Sequence, residues 1–262
     1  MPGMFFFTAC GPSGLRLAIS GSTALMPLAR AAAASFGRVH PDVSVQVTGG
    51  GSFVGLYQVW SKAVDIGMAD AVPPPGKYPG LVGWPVAVIP YCLVVNPDVA
   101  VASLTRWQVA EIFSGRVRDW RSISGQGLPV VVVGRASSSG SRLVLEERLL
   151  NGGKVVPRGV TLPSSGAVRA AVAATPGAIG YLEAGRLNST VRAVALGGVP
   201  FSASAVGDGK YAFWGMGRFY TLRSPGPVVR AFLALIRGRD FRPELRRLGY
   251  LPPVDGEESG AG

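Results

Sequence analysis

The stretch "VVVGRASSSGSRLVLEERLL", residues 131–150, decides the fold. With Val130 it opens on four valines and a glycine, then gives Arg135, three serines, Gly140, Ser141 and Arg142. A run that is apolar and β-branched on both faces reads as a buried strand. "SRLVLEERLL" reads as a helix capped by Ser139 or Ser141, with Glu146 and Glu147 following. A helix start offers unpaired N–H groups and partial positive charge. Serine hydroxyls, a glycine and an arginine fork turn such a start into an oxyanion site. Taken alone, the stretch is equally well a capped βα turn.

The same design recurs. "LRLAISGSTALMPLARAAAASF", residues 15–36, runs an alternating strand into Gly21, Ser22 and Thr23, then into an alanine-rich helix. Pro27 falls in its first turn, where the missing N–H is harmless. "VSVQVTGGGSFVGLYQVW", residues 43–60, alternates through Val43, Val45 and Val47, passes three glycines and opens a helix at Ser52. Three such turns in one chain point to helix starts converging on one small anion at the carboxyl ends of an open α/β sheet. Asp70 ends the short strand "DIGMA" at the same sheet edge. An ionised carboxylate only accepts hydrogen bonds, so it suits a ligand that still carries a proton and repels one that does not. Asp65, five residues earlier, has the role of a local cap.

Composition bounds the rest. The chain has 262 residues, 48% hydrophobic and 16% charged, enough for one large or two modest domains. The net charge of +11 admits nucleic acid, a membrane surface or an anionic ligand. The basic residues are scattered, however. The densest group, "RGRDFRPELRR" at residues 237–247, has the spacing of a solvated helix face, and no nucleic-acid-binding signature accompanies it. Of the two cysteines, Cys92 lies in an apolar strand and reads as a free core thiol. Cys10 follows "MFFFTA", a short version of a lipoprotein signal without a charged leader. Residues 1–14 are therefore expected to be a truncated signal-like or disordered segment, with Cys10 as the candidate lipidation site. The one histidine, His40, sits in a polar turn, and neither a metal-ligand set nor a G-x-S-x-G elbow is present. A nucleophile at Ser139 would lack a base.

"GSTALMPLA", "TGGGSFVGLYQVWSKAVDIGMAD", "LVVNPDVAVASLTRWQVAEIFSGRVRDW", "VVVGRASSSGSR", "TPGAIGYL" and "VVRAFLALIRGRDFRPELRRLGYLPP" stand in collinear order from about residue 15 onward. Together they resemble the phosphate-binding component of the phosphate ABC transporter, the PstS family. The resemblance implies an α/β, two-lobed periplasmic-binding-protein fold of type II, with two chain crossovers and the ligand in the cleft between lobes. Residues 15–87 and 212–262 would form lobe I, and 88–211 lobe II. Two crossings imply hinge closure.

Carried over position by position, the resemblance assigns phosphate contacts to Thr23, the backbone of Ala24, Ser52, Asp70, Arg135, Ser139, Gly140 and Ser141. Asp70 would accept the ligand's proton. Arg135 would be the one full positive charge on the ligand, and its removal would leave folding little changed. Family members often carry an aromatic at Ala24 and threonine at Ser141, and the "PPPGKYPG" loop, residues 73–80, is shorter than usual. The implied protein is an extracytoplasmic, monomeric binding protein, not an enzyme. It needs no cofactor or metal, delivers inorganic phosphate to an ABC permease, and meets the membrane surface through a lipid on Cys10. The alternatives are a carrier of sulfate or molybdate, disfavoured by Asp70, and a serine-dependent hydrolase or transferase.

Overall fold

The computed structural model describes residues 15–155 and 159–253. The expectations for residues 1–14 and for Cys10 lie outside the described residues.

The first third of the chain is strand–helix–strand–helix–strand: β1 (Leu15–Gly21), α1 (Met26–Val39), β2 (Val43–Gly49), α2 (Ser52–Trp60) and β3 (Ile66–Ala69). β1 pairs in parallel with β2 on one side and β3 on the other. β4 (Leu81–Val95) follows and is unusually long, at 15 residues. Beyond it come β5 (Ser103–Leu104), α3 (Arg106–Phe113), α4 (Arg121–Ser124), β6 (Val131–Arg135), α5 (Gly140–Arg148), β7 (Val160–Leu162), α6 (Ser165–Ala174), β8 (Ala178–Glu183), β9 (Arg192–Leu196) and α7 (Ala203–Gly207). β10 (Trp214–Leu222), α8 (Pro227–Arg237) and α9 (Arg242–Arg247) close the described chain.

The strands join in the order β2-β1-β3-β10-β4-β8-β6-β7, with β5 and β9 off this path. β10 lies antiparallel between β3 and β4. Pro90 and Tyr91 divide β4. Up to Pro90 it pairs with β10, and from Tyr91 it pairs with β8, with β9 on its other side from Leu93. Pro90 lacks the N–H a ladder needs, so partners change where one rung is already missing.

The helices dock as their patterns dictate. α8 buries Val229, Phe232, Leu233 and Ile236, the i, i+3, i+4, i+7 stripe of an amphipathic helix. Phe232 meets Phe36 of α1 edge-on at 5.3 Å and stacks on Phe219 of β10 at 6.4 Å. Burying one such side chain is worth roughly 1.5–3 kcal/mol. α3 starts at a capping box, with the Thr105 hydroxyl on the Gln108 amide and the Gln108 side chain on the Thr105 amide. Gly115, at φ 75°, breaks the chain between α3 and α4. Residues 211–213 precede β10 and turn Tyr211 and Phe213 into the core. Among the described residues no helix is long and apolar enough to cross a membrane.

Candidate functional site

The three glycine turns meet. The turn after β1 is held to β3 by the Ser22 amide on the Met68 carbonyl at 2.8 Å. The glycines before α2 are held to β1 by the Gly51 amide on the Gly21 carbonyl at 3.0 Å. Gly51 has φ 100°, a left-handed value suited to glycine, and packs against the Ser138 carbonyl. The Phe53 amide, in the first turn of α2, donates to that same carbonyl at 3.3 Å. The opening stretch is thus bonded to the turn from the other half of the sheet.

Between them lies a cavity of about 390 Å³, lined by Thr23, Gly49, Gly50, Gly51, Arg135, Ala136, Ser138, Ser139, Pro163 and Ser164. Arg135 is buried at 3% exposure. Its Nε donates to the Leu162 carbonyl at 3.1 Å and its Nη2 to the Pro163 carbonyl at 3.0 Å. Nη1 faces the hydroxyls of Ser165 at 3.2 Å and Ser141 at 3.4 Å. All four acceptors are neutral, and among the described residues no carboxylate pairs with this guanidinium. Burying a charge in that way favours an anion beside it. The Thr23 hydroxyl adds a second signal, because its oxygen is buried and has no hydrogen-bond partner among the described residues.

Of the other expected residues only Ser139 lines this cavity; Ala24, Ser52, Gly140 and Ser141 stand next to its lining residues, and Asp70 lines a second cavity beyond Ser52. Ser139 occupies the N-cap position of α5, but its hydroxyl makes no cap bond and lies 2.9 Å from that of Ser141. The α5 amides at that end are therefore not satisfied by the Ser139 side chain. The Ala24 amide, expected to face the ligand, donates to the Ser22 hydroxyl at 3.2 Å. Ser52 is fully buried, donates to Asp70 Oδ1 and accepts from the Asp70 amide at 3.2 Å. A Cβ at Gly140 would overlap the Asp70 carboxylate and the Ser52 hydroxyl. Only glycine lets α5 begin so close to the acid.

Two parts of the site were missed from the sequence. α6 is a fourth helix start on the cavity, with Ser164 as its cap accepting from the Ala167 amide at 3.2 Å. Its signal was legible, since "TLPSSGAVRAAV" repeats the strand, small-hydroxyl and helix pattern. Tyr91 is the other. Its hydroxyl donates to Asp70 Oδ2 from β4, so each oxygen of the buried acid accepts one hydroxyl. Burial and the neighbouring Asp70 push the Tyr91 phenol well above its ordinary range, so it stays a donor. No local signal marks Tyr91, because 21 residues separate it from Asp70.

His40 stacks on Phe36 at 4.3 Å and forms no part of the cavity wall. Cys92 is a buried free thiol whose titration burial pushes up to about 12. Asp65 accepts from the Ala18 amide at 2.7 Å and so ties β1 to the start of β3 instead of capping its own turn.

The PBP superfamily domain matches residues 8–236. The Bacillus subtilis (strain 168) phosphate-binding protein PstS is 34% identical over 244 residues, spanning 91% of this chain and 81% of that protein. The Pseudomonas aeruginosa (strain PAO1) phosphate-binding protein PstS is 27% identical, over 93% of this chain and 84% of its own. A crystal structure from Clostridium perfringens, described as a phosphate ABC transporter substrate-binding protein with bound phosphate, superposes with a TM-score of 0.87. It is 25% identical and covers 91% of this chain and 99% of that one. An ABC-type phosphate transport receptor from Vibrio cholerae shares the fold, with a TM-score of 0.76 at 22% identity over 90% and 100% of the two chains. With its three glycine turns, its buried acid and its buried arginine set in that fold, the chain belongs to the PstS family of phosphate-binding proteins within the PBP superfamily.

Proposed function

We propose that this protein binds inorganic phosphate outside the cytoplasm and hands it to the permease of an ABC transporter. One observation carries the reading. A buried guanidinium with only neutral partners and a buried, unpartnered threonine hydroxyl share one small cavity at which helices begin. That is an environment for a compact oxyanion. Thr23, the Ala24 and Ser52 backbones, Arg135, Ser139, Gly140 and Ser141 supply its donors, and Asp70 accepts the proton of monohydrogen phosphate. Sulfate has no proton to give, so its bare oxygens would face the carboxylate.

The protein is a carrier and not an enzyme. The neighbour of the Ser139 hydroxyl is another hydroxyl, not a base. Residues 15–87 with 212–262, and 88–211, act as two lobes that close on the anion. The partner change of β4 at Pro90 supports that division, as does the Tyr91 amide on the Phe213 carbonyl at 2.9 Å, which places the return crossing beside the outgoing one. It works as a monomer, and a lipid on Cys10 would hold it at the membrane.

Titration calorimetry with phosphate and sulfate at one pH and one salt concentration tests the reading. Phosphate binds in the tight range and sulfate far more weakly. Asp70→Asn narrows that ratio more than it weakens phosphate, because an amide can turn its NH₂ toward either ion. A protein indifferent to phosphate, or one that prefers sulfate, overturns it.

A further inference from the structure

Asp70 is almost fully buried, and among the described residues the bonds to its carboxylate oxygens come from hydroxyls. Burial disfavours the charged form of an acid, and hydrogen bonds given to the carboxylate favour it. Two hydroxyls give those bonds, Ser52 to Oδ1 and Tyr91 to Oδ2. Ser52 belongs to the anion-binding turn itself. Tyr91 does not, because it reaches the acid from β4, behind the site.

Tyr91 is also the better anchored of the two. Its backbone is gripped at the point where β4 changes partners. The amide donates to the Phe213 carbonyl at 2.9 Å, and the carbonyl accepts the Tyr211 hydroxyl at 3.0 Å. The ring packs against that of Phe213 at 5.4 Å. The phenol is thus aimed by the crossover between the two halves of the sheet.

We propose that Tyr91 is a positioning residue for anion selection: its hydroxyl fixes the orientation of the Asp70 carboxylate, so that the remaining lone pairs face the proton of the bound anion. The proposal rests on the phosphate reading above. A carboxylate oxygen has room for about two donors. Tyr91 occupies one site on Oδ2 and Ser52 one on Oδ1, which leaves the remaining positions to a protonated oxyanion. A fully deprotonated anion has no proton to place there, so a bare oxygen faces the carboxylate. The more rigidly the carboxylate is held in that orientation, the less the site can relax away from such an anion. Tyr91 therefore sets how strongly the site rejects a bare anion.

Other charged groups surround the acid at longer range. Arg218 of β10, Glu146, Glu147 and Arg148 of α5, and Lys154 share with it a second cavity of about 510 Å³. Glu183 of β8 and Tyr250 act on Tyr91. The carboxylate itself is bonded by Ser52 and Tyr91, so the effect of Tyr91 is separable from theirs.

The test compares wild type, Tyr91→Phe and Tyr211→Phe. Both variants keep their rings in place, and only the first loses a bond to Asp70. Phosphate and sulfate dissociation constants are measured by competition calorimetry at pH 7 and fixed salt, with a thermal melt of each variant as the folding check. Tyr91→Phe lowers the phosphate-to-sulfate affinity ratio about tenfold or more, the effect of losing one hydrogen bond to a charged group. Tyr211→Phe loosens the Tyr91 backbone but removes no bond to Asp70, so it moves the ratio less than Tyr91→Phe even if it melts earlier. A Tyr91→Phe protein with the wild-type ratio overturns the proposal, whether phosphate binding is intact or both anions are weakened equally. A wild-type protein that binds no phosphate overturns the phosphate reading as well.

Discussion

The hydroxyl of Tyr250 donates to the carbonyl of Ala24 across 2.6 Å, joining residues 226 positions apart. Ala24 follows Thr23 in the first anion turn, so the end of the described chain props that turn from behind. Leu251 bridges to Val88 of β4, and Gly249 packs on Gly185 just past β8. Tyr250→Phe removes one buried hydrogen bond, worth about 0.5–1.5 kcal/mol. At roughly 2–4 °C per kcal/mol for a chain of this size, the melting temperature drops by about 1–6 °C. Phosphate affinity falls with it as the turn loosens, which calorimetry on the variant checks.

Gly140→Ala strikes the site without touching a polar group. Its new Cβ meets the Asp70 carboxylate and the Ser52 hydroxyl. Overpacking of that kind costs roughly 1–3 kcal/mol. If that cost falls on the bound form, phosphate affinity drops about 5- to 150-fold. A Gly140→Ala protein that binds like wild type would show that α5 can shift away from the acid.

Arg135→Ala has two effects where the sequence alone foresees one. Loss of a charge-assisted bond to the anion is worth roughly 1.5–3 kcal/mol, so affinity falls about 10- to 150-fold. The sequence-based expectation is that folding changes little, but this side chain also ties down the Leu162 and Pro163 carbonyls and the Ser165 hydroxyl ahead of α6, which argues for a loss of stability as well. The ligand-free variant therefore melts below wild type, and amide exchange quickens first at residues 160–167.

Acid sensitivity has a local source in Glu146. Burial pushes its carboxyl up, but bonds from Lys154 at 2.8 Å, from Arg142 at 2.9 Å and from the Val155 amide at 3.2 Å outweigh it, and the carboxyl ends below its usual range. A depressed carboxyl stabilises the fold above its unfolded pKa of about 4.3. That contribution disappears as pH falls through the folded value. Urea midpoints of Glu146→Gln should thus lie below wild type at pH 7, and the gap should close below about pH 4. A gap that persists unchanged into acid would place the stabilisation elsewhere.

The anion turns were legible because each is local. Strand, glycine, hydroxyl and helix follow one another within about ten residues, and the backbone chemistry of a helix start does the rest. Asp70 was legible for the same reason, since it ends a strand at the same edge. Tyr91 was not, because its contact with Asp70 exists only once β10 has been laid between β3 and β4. Ser139 shows a subtler limit. Its position as an N-cap was readable, but its hydroxyl turns to Ser141 beside Arg135 instead of to an α5 amide. Propensity places the residue, and the neighbouring charge sets where its hydroxyl goes.

Strand β10 also fixes a timetable. It fills the sheet between two strands that are made long before it. About 145 residues separate Ala69 from Trp214, and at roughly 5–20 residues per second a ribosome needs about 7–30 s to cover them. Throughout that interval the free edge of β3 has no partner from its own chain. An exposed strand edge invites pairing with other chains. Until β10 arrives, that edge stays open to pairing with a neighbouring chain, and the arrival of this one strand closes it.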